Sequence, residues 1–432
     1  MSITLNSCQE KAVDAFVQFM ADKTQTELVI KGHAGTGKTT LVAHILDNLP
    51  KYQKSAEAMG VKLFEFDEVE VTATTRKAAN VIAQSLNVEP RTIHSYLGLI
   101  VRNDYQTGET FISPAKHSED KHNVLLFIDE ASFIDPQLLK YIRKFTNSCK
   151  VIYTGDPYQL LPVNVSTSPV FDGNIPTVAL TTVMRHDGAI DDLSSHWRDT
   201  VITQEFSSAP LDNKKVIHLP GNEYQAMIDD CFLHPDYQPD VSAKIVAWTN
   251  GRVIEYNKYI NSVRGINEDY PIGETLITNT PILGTPGNNK EAILYGADSK
   301  VRILNKQKAT AYGVEGYELR LKKCSIFAPI DRYQQKVLMK QFASQKKWSE
   351  YFNVKERWAD LRPAYAATVH KSQGSTYEKV FIDLNDIGRC SNANDLSRLL
   401  YVAVSRASKQ VILSGELPEK YSGVLNEKFA IA

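Results

Sequence analysis

Short apolar runs flanked by polar residues recur along the chain: Leu28–Ile30, Val69–Ala73, Val124–Ile128, Val151–Tyr153, Ile245–Trp248, Val380–Ile382 and Val411–Leu413. Apolar residues on successive positions mark strands buried on both faces. Helical stretches separate most of these runs. The first carries Val13, Phe16, Val17 and Met20 at helical spacing, behind a Ser7/Glu10 pair spaced as a capping box. A second carries Leu41, Val42, Ile45 and Leu49. The alternation predicts an α/β fold of parallel sheets covered by helices. The runs fall into one group before about residue 185 and another after about residue 240, which predicts two lobes.

Two stretches break the pattern. Residues 97–122 are polar, and the turn Thr107-Gly108 between Leu99–Val101 and Thr110–Ile112 predicts an inserted hairpin. From about Pro271 to Leu361, Gly and Pro come early, short β-like runs follow (Lys300–Leu304, Tyr317–Lys322), and one Lys- and Gln-rich helical segment, Arg332–Tyr351, comes late. This predicts a small insert with a barrel-like part. Trp348, Tyr351, Phe352 and Trp358 near Lys346 and Lys347 fit either the core of that insert or a stacking track for single strands, the core being the commoner use. The resulting division is a first lobe over residues 1–185 with the hairpin at 97–122, a second lobe over 186–270 plus 361–432, and an insert over 271–360.

Composition narrows the options. At 432 residues the chain is long enough for several domains. A net charge of −1 argues against a protein that coats nucleic acid, but not against one that grips a strand in a single groove. Five scattered cysteines give no metal knuckle and no disulfide framework, which predicts reduced thiols in a cytosolic setting. No apolar run reaches the roughly 18 residues of a membrane span, and Met1–Ser7 lacks the features of an export signal.

The densest chemistry lies at Gly32-His33-Ala34-Gly35-Thr36-Gly37-Lys38-Thr39, between a predicted strand and a predicted helix. Glycines let backbone N–H groups approach phosphates, and the helix offers its positive end. Lys38 is expected on the β- and γ-phosphates and Thr39 on Mg²⁺. The pattern alone can arise by chance; the strand and helix around it make chance a poor explanation. Val124–Glu130 supplies the partner: Asp129 at the end of a buried strand to hold Mg²⁺, Glu130 to polarise water. Without the loop, such a pair also admits the less favoured reading of surface charge after a core strand. Together the two sites admit a hydrolase, a kinase or a switch. Leu400–Ala407 places Arg406 after an apolar, strand-like run far from the loop, where an arginine from another lobe can stabilise γ-phosphate charge. Arg406 and Arg185 each also admit the blander reading of a surface salt bridge.

Taken together, the motifs resemble the superfamily 1 helicases, and within them the RecD-like 5′→3′ branch (superfamily 1B), whose small phage members are most similar in length and motif wording. The resemblance covers nearly the whole chain and is weakest in the inserts. It implies two RecA-like lobes, a hairpin pin that parts the duplex, and an SH3-like and helical insert. Leu5–Gln9 resembles the leading glutamine motif, with Gln9 expected at the adenine edge, and Gly32, Ala34, Gly35, Thr36, Gly37, Lys38, Thr39 and Thr40 are expected around the nucleotide. Val71–Ala79 and Thr92–Ser95 are similar to strand-groove motifs, which puts Thr74, Thr75 and His94 on DNA. Gly155–Val163 resembles the motif whose glutamine, Gln159, senses the γ-phosphate; it reads Leu160-Leu161-Pro162 where two prolines are common. Leu180–Arg185 supplies Arg185 and Leu400–Ala407 supplies Arg406. Ala247–Asn250 and Thr368–Ser375 are similar to second-lobe strand motifs, implying DNA contacts by Trp248, Thr249, Asn250, Thr368, His370 and Lys371. Phe111 is the candidate pin aromatic, with packing of the hairpin onto its own lobe an equal alternative; His94 and His370 could also be core histidines. The resemblance further implies ATP and Mg²⁺ as cofactors, single-stranded DNA and duplex junctions as partners together with single-strand-binding or replication proteins, no membrane, a monomer, and the cytoplasm, of a bacterial host if the source is viral. An RNA-directed motor, a protein-displacing strand-dependent ATPase, and a P-loop kinase or switch remain as alternatives.

Overall fold

The computed structural model describes residues 4–116, 118–162, 165, 167–183, 188–284 and 292–421. Arg185 lies outside them.

One five-stranded sheet runs in the order Glu68–Ala73, His122–Asp129, Ser148–Gly155, Glu27–Gly32, Thr177–Leu180, every pair parallel. A second runs Ala366–Thr368, Ala243–Ala247, Tyr377–Asp383, Ala407–Ser414, Val216–Leu219, again all parallel. Leu28, Val29, Ile30, Leu125, Phe127 and Ile152 are buried in the first; Ile245, Val246, Val380, Phe381, Val411 and Ile412 are buried in the second. Helices cover both faces of each sheet, so the successive apolar residues of each strand have partners on both sides. This is the α/β architecture of two parallel-sheet lobes that the apolar pattern predicts. The edge strands Thr177–Leu180 and Val216–Leu219 escape that pattern, being only four residues each and partly exposed.

Three local expectations are corrected. The first helix, Ser7–Ala21, is capped by Asn6, whose side chain accepts from Gln9 N–H at 3.0 Å while Gln9 Oε1 accepts from Asn6 N–H at 3.1 Å; the box is one residue earlier than the Ser7/Glu10 pair. The segment before Arg406 is not a strand but the end of the helix Ala393–Val404, capped by Asn392 and buried along its last nine residues. The helical stretch from Arg332 is two helices, Arg332–Ser344 and Trp348–Arg357, broken where Lys346 takes a left-handed backbone (φ 55°).

The insert between the strands Ala243–Ala247 and Ala366–Thr368 holds short antiparallel sheets, including the three-stranded Asn305–Ala311, Val314–Arg320, Ser325–Pro329, around a core of Leu276, Val301, Ile303, Leu319 and Leu321. Phe352 and Trp358 are buried, so these aromatics are core. The hairpin Leu99–Asn103/Thr110–Pro114 leans on the helix Trp348–Arg357: Asn103 Nδ2 donates to Glu356 Oε1 at 2.6 Å, and Tyr105 meets Phe352 edge-on at 5.2 Å.

Candidate functional site

In a parallel sheet the strand ends on one side gather the loops. The strands ending at Gly32, Asp129 and Gly155 lie side by side, with Lys31 opposite Gly155 and Ile128 opposite Tyr153. Three sequence segments remote from one another thus meet at one edge.

The phosphate loop leaves the strand at Gly32, where a Cβ would lie 2.5 Å from Thr36 Oγ1 and 3.0 Å from Leu180 Cβ, so only glycine fits. Gly37 takes φ 78°, a left-handed turn that aims the first N–H groups of the helix Lys38–Ala58 into the cleft. Thr36 is buried and its hydroxyl donates to His33 O at 2.9 Å, fixing the loop's curl. Lys38 Nζ donates to Gly32 O at 2.6 Å and His33 O at 3.1 Å. Gln9 is fully buried, with Nε2 donating to Thr36 O at 3.4 Å and Oε1 held by the helix cap. It therefore supports the loop from beneath.

Ala34, Gly35, Gly37, Lys38, Thr39, Thr40, Asp129, Glu130 and Gln159 from the first lobe line a cavity of about 300 Å³ together with Gly374 and Arg406 from the second. Thr154 Oγ1 donates to Asp129 Oδ1 at 2.5 Å. Glu130 adopts φ 54°, and its carboxyl is pushed up to about 7 by burial and by the neighbouring Asp129, against the pull of Lys38 and Arg406. Thr39 and Asp129 offer hard oxygen donors on one cavity wall. A hydroxyl and a single carboxylate, completed by phosphate and water oxygens, suit Mg²⁺, which would draw charge from a transferring phosphoryl group. Among the described residues no cluster of three acidic, His or Cys side chains forms a protein-only cage. Arg406 is held wholly by its own lobe: Nε to Val402 O at 3.1 Å, Nη1 to Ser375 O at 3.2 Å, Nη2 to Ser405 Oγ at 2.8 Å.

The lobes are also joined by hydrogen bonds that no pattern in the sequence reveals. Tyr401 Oη donates to Asp156 Oδ2 at 2.7 Å and accepts from Ala34 N–H at 3.0 Å. Gln159 Nε2 donates to the same Asp156 oxygen at 3.2 Å, and Gln159 Oε1 accepts from Gln373 Nε2 at 2.7 Å. Arg398 Nη1 donates to Pro157 O at 2.7 Å and Gln159 O at 2.6 Å. Asp156 is fully buried, and hydrogen bonds to a charged group contribute about 1.5–3 kcal/mol each, enough to fix the turn that carries Gln159. The only sequence signal for Tyr401 was a polar group within an apolar run.

The residues expected on a strand are placed unevenly. Thr74 is buried, its hydroxyl donating to Glu130 O at 2.9 Å and its N–H to Asp129 O at 3.1 Å, so it buttresses the acidic pair and does not stand open in a groove. Thr75 caps the helix Arg76–Leu86. Thr249 Oγ1 donates to Asp386 Oδ1 at 2.7 Å, while Thr249 and Trp248 N–H groups reach Asp386 Oδ2 at 2.7 and 2.8 Å; this buried aspartate sets the Trp248–Thr249 loop. Asn250, Thr368 and Lys371 do come together, lining a cavity of about 210 Å³ with Lys77, Lys300 and Arg362. Thr368 caps the short helix Val369–Ser372, and Lys371 Nζ donates to Asn279 O at 2.6 Å and pairs with Asp298 at 3.1 Å. His370 is exposed beside them. His94 sits half-buried on the helix Ile93–Tyr96, where burial lowers its pKa. Phe111 is 47% exposed on the hairpin, so it does not fold the hairpin onto the lobe.

Two parallel-sheet lobes, a phosphate loop with its acidic pair on one, and an arginine presented by the other define a P-loop ATPase whose catalytic cleft is shared between lobes. Comparison with known proteins agrees. An AAA domain model matches residues 4–218, and a UvrD-like helicase C-terminal domain model matches residues 363–414. The ATP-dependent DNA helicase dda of Enterobacteria phage T4 is 23% identical over 94% of this chain and 98% of its own. An uncharacterized protein of Acanthamoeba polyphaga mimivirus is 23% identical over 94% of this chain and 99% of its own. Among solved structures, the Pif1 helicase from Candida albicans aligns over 99% of this chain and 97% of its own, at 16% identity and a TM-score of 0.49. The chain is a superfamily 1B helicase of the Dda-like kind and an ATP-hydrolysing enzyme.

Proposed function

We propose that this helicase acts on DNA, translocating along a single strand 5′→3′ and unwinding the duplex ahead in replication, recombination or repair. The observation that carries the reading is the shared cavity: Glu130 of one lobe and Arg406 of the other line it together, so catalysis requires the lobes to close on ATP. Lys38 leaves its two carbonyl partners for the β- and γ-phosphates. Thr39 and Asp129 would hold Mg²⁺, which would neutralise phosphate charge; Glu130 takes a proton from the attacking water, and Gln159 and Arg406 face the γ-phosphate, with Arg185 as a second arginine. Loss of the γ-phosphate removes what these groups grip, and the lobes reopen. Asn250, Thr368, His370 and Lys371 on the second lobe and His94 on the first form the strand path. These are hydroxyl, amide and cationic groups suited to phosphates of any sequence. The hairpin with Phe111 is the wedge. The division into lobes, hairpin and insert at residues 97–122 and 271–360 is part of the same proposal. Both halves of the cleft come from one chain, which favours a monomer; the phage relative favours a bacterial cytoplasm and single-strand-binding partners.

Unwinding of duplexes bearing a 5′ or a 3′ single-stranded tail, of DNA and of RNA, tests the proposal. We expect strand separation of the 5′-tailed DNA. Separation only of the 3′-tailed duplex would reverse the polarity, preference for RNA tails would change the substrate, and ATP turnover without separation would favour displacement of bound protein.

A further inference from the structure

The turn Asp156–Gln159 belongs to the first lobe by sequence and sheet, yet a second-lobe helix holds it. From Ala393–Val404, Arg398 grips its carbonyls and Tyr401 its buried carboxylate. Tyr401 also takes the N–H of Ala34 in the phosphate loop. One phenol oxygen, 1% exposed as part of its residue, therefore touches the loop and the turn at once. The chain continues through Asp156 Oδ2 to Gln159 and from Gln159 to Gln373. Gln373 is 6% exposed, and its Oε1 has no hydrogen-bond partner among the described residues, so nothing there ties this end of the chain to a second group. Gln373 also follows directly on the helix Val369–Ser372, whose Lys371 binds the insert at Asn279 and Asp298 and accepts at its carbonyl from Lys77 of the first lobe at 2.8 Å.

We propose that Tyr401 is the positioning residue that links the nucleotide site to the strand path, its hydroxyl tying the phosphate loop and the Gln159 turn to the second lobe. The link rests on the strand-motor reading above. A hydroxyl that bridges Ala34 and Asp156 keeps both bonds only while the second-lobe helix holds its place. Movement of that helix must shift the loop or release it, and the Gln159–Gln373 bond passes the same displacement to the segment bearing Thr368, His370 and Lys371. Tyr401→Phe removes the bridging oxygen and leaves the ring packing.

The test is a linkage measurement. Affinity for fluorescent single-stranded DNA is measured in the wild type with and without a non-hydrolysable ATP analogue. We expect the analogue to change the affinity by at least about fivefold, the lower end of ordinary coupling between sites. In Tyr401→Phe the factor is expected to fall to within about twofold of unity. A residue that merely stabilised the fold would lower the melting temperature and leave the ratio intact; that result, or an undiminished ratio with unchanged melting, overturns the proposal. Gln373→Leu breaks the chain at its other end and should collapse the ratio as well, with the double variant no worse than either single one. Losses that add would also overturn it. Absence of linkage, or of strand binding, in the wild type would sink the strand-motor reading and this proposal together, whereas linkage that survives in Tyr401→Phe sinks this proposal alone.

Discussion

Glu130 carries an unusual burden for a carboxylate, since burial and Asp129 hold its pKa at about 7 against an ordinary 4.5. A base must be ionised to accept a proton, so kcat/KM for ATP should fall as pH drops below about 7, approaching tenfold per unit. A flat profile between pH 6 and 8 would remove Glu130 as the base. Stability moves the other way. The folded pKa lies above the unfolded value, so the unfolded chain ionises first and the nucleotide-free protein loses stability as pH rises from 4.5 towards about 7. Glu130→Gln should therefore melt higher than wild type at pH 8, match it near pH 4, and hydrolyse almost no ATP. Lys38→Ala should retain the fold and lose strand-stimulated hydrolysis by at least about 100-fold. These residues were legible because their spacing is local and phosphate chemistry dictates it. Tyr401 and Gln373 were not: their partners lie 245 and 214 residues away, and no periodicity encodes such a pairing. Thr74 and Gln9 were read as ligand-facing; the structure shows both buried, with hydrogen bonds to the acidic pair and the phosphate loop that only the packing reveals.

Among the elements, buried strands could be read from the apolar runs, and helix identity was harder. The apolar run before Arg406 fits a core strand or a core helix equally well. Its Asn392 cap and its length decide for a helix, which is what lets Arg398 and Tyr401, one turn apart, grip one segment of the other lobe. The hairpin gives an element-scale prediction. Gly108 at its tip has φ 78°, and a Cβ there would overlap the Trp348 ring of the insert helix. Gly108→Val should push the hairpin off that helix. Duplex unwinding is expected to fall severalfold while strand-stimulated ATP hydrolysis holds, measured on the same preparation. Equal loss of both would mean that the hairpin serves the motor core and not the fork.

For the whole molecule, the near-zero charge and the two α/β lobes were legible in the sequence, whereas the way the lobes meet was not, because contacts across a cleft leave no pattern in either half. Confinement of phosphate contacts to one groove predicts a shallow salt dependence: strand affinity plotted against salt on logarithmic axes should have a slope of only a few, far from that of a basic coat protein. A steep slope would indicate a second, wider nucleic-acid surface. In the proposed motor, one cleft, completed by Arg406 from the far lobe, drives movement along the strand. The most direct test is ATP binding and single-stranded-DNA-stimulated turnover in wild type and Arg406→Ala, with melting curves to establish folding. We expect stimulation in the wild type, and in the variant near-normal ATP affinity with turnover reduced about 10³-fold or more. A wild type indifferent to single strands, or a folded variant in which binding and turnover decline together, would contradict it.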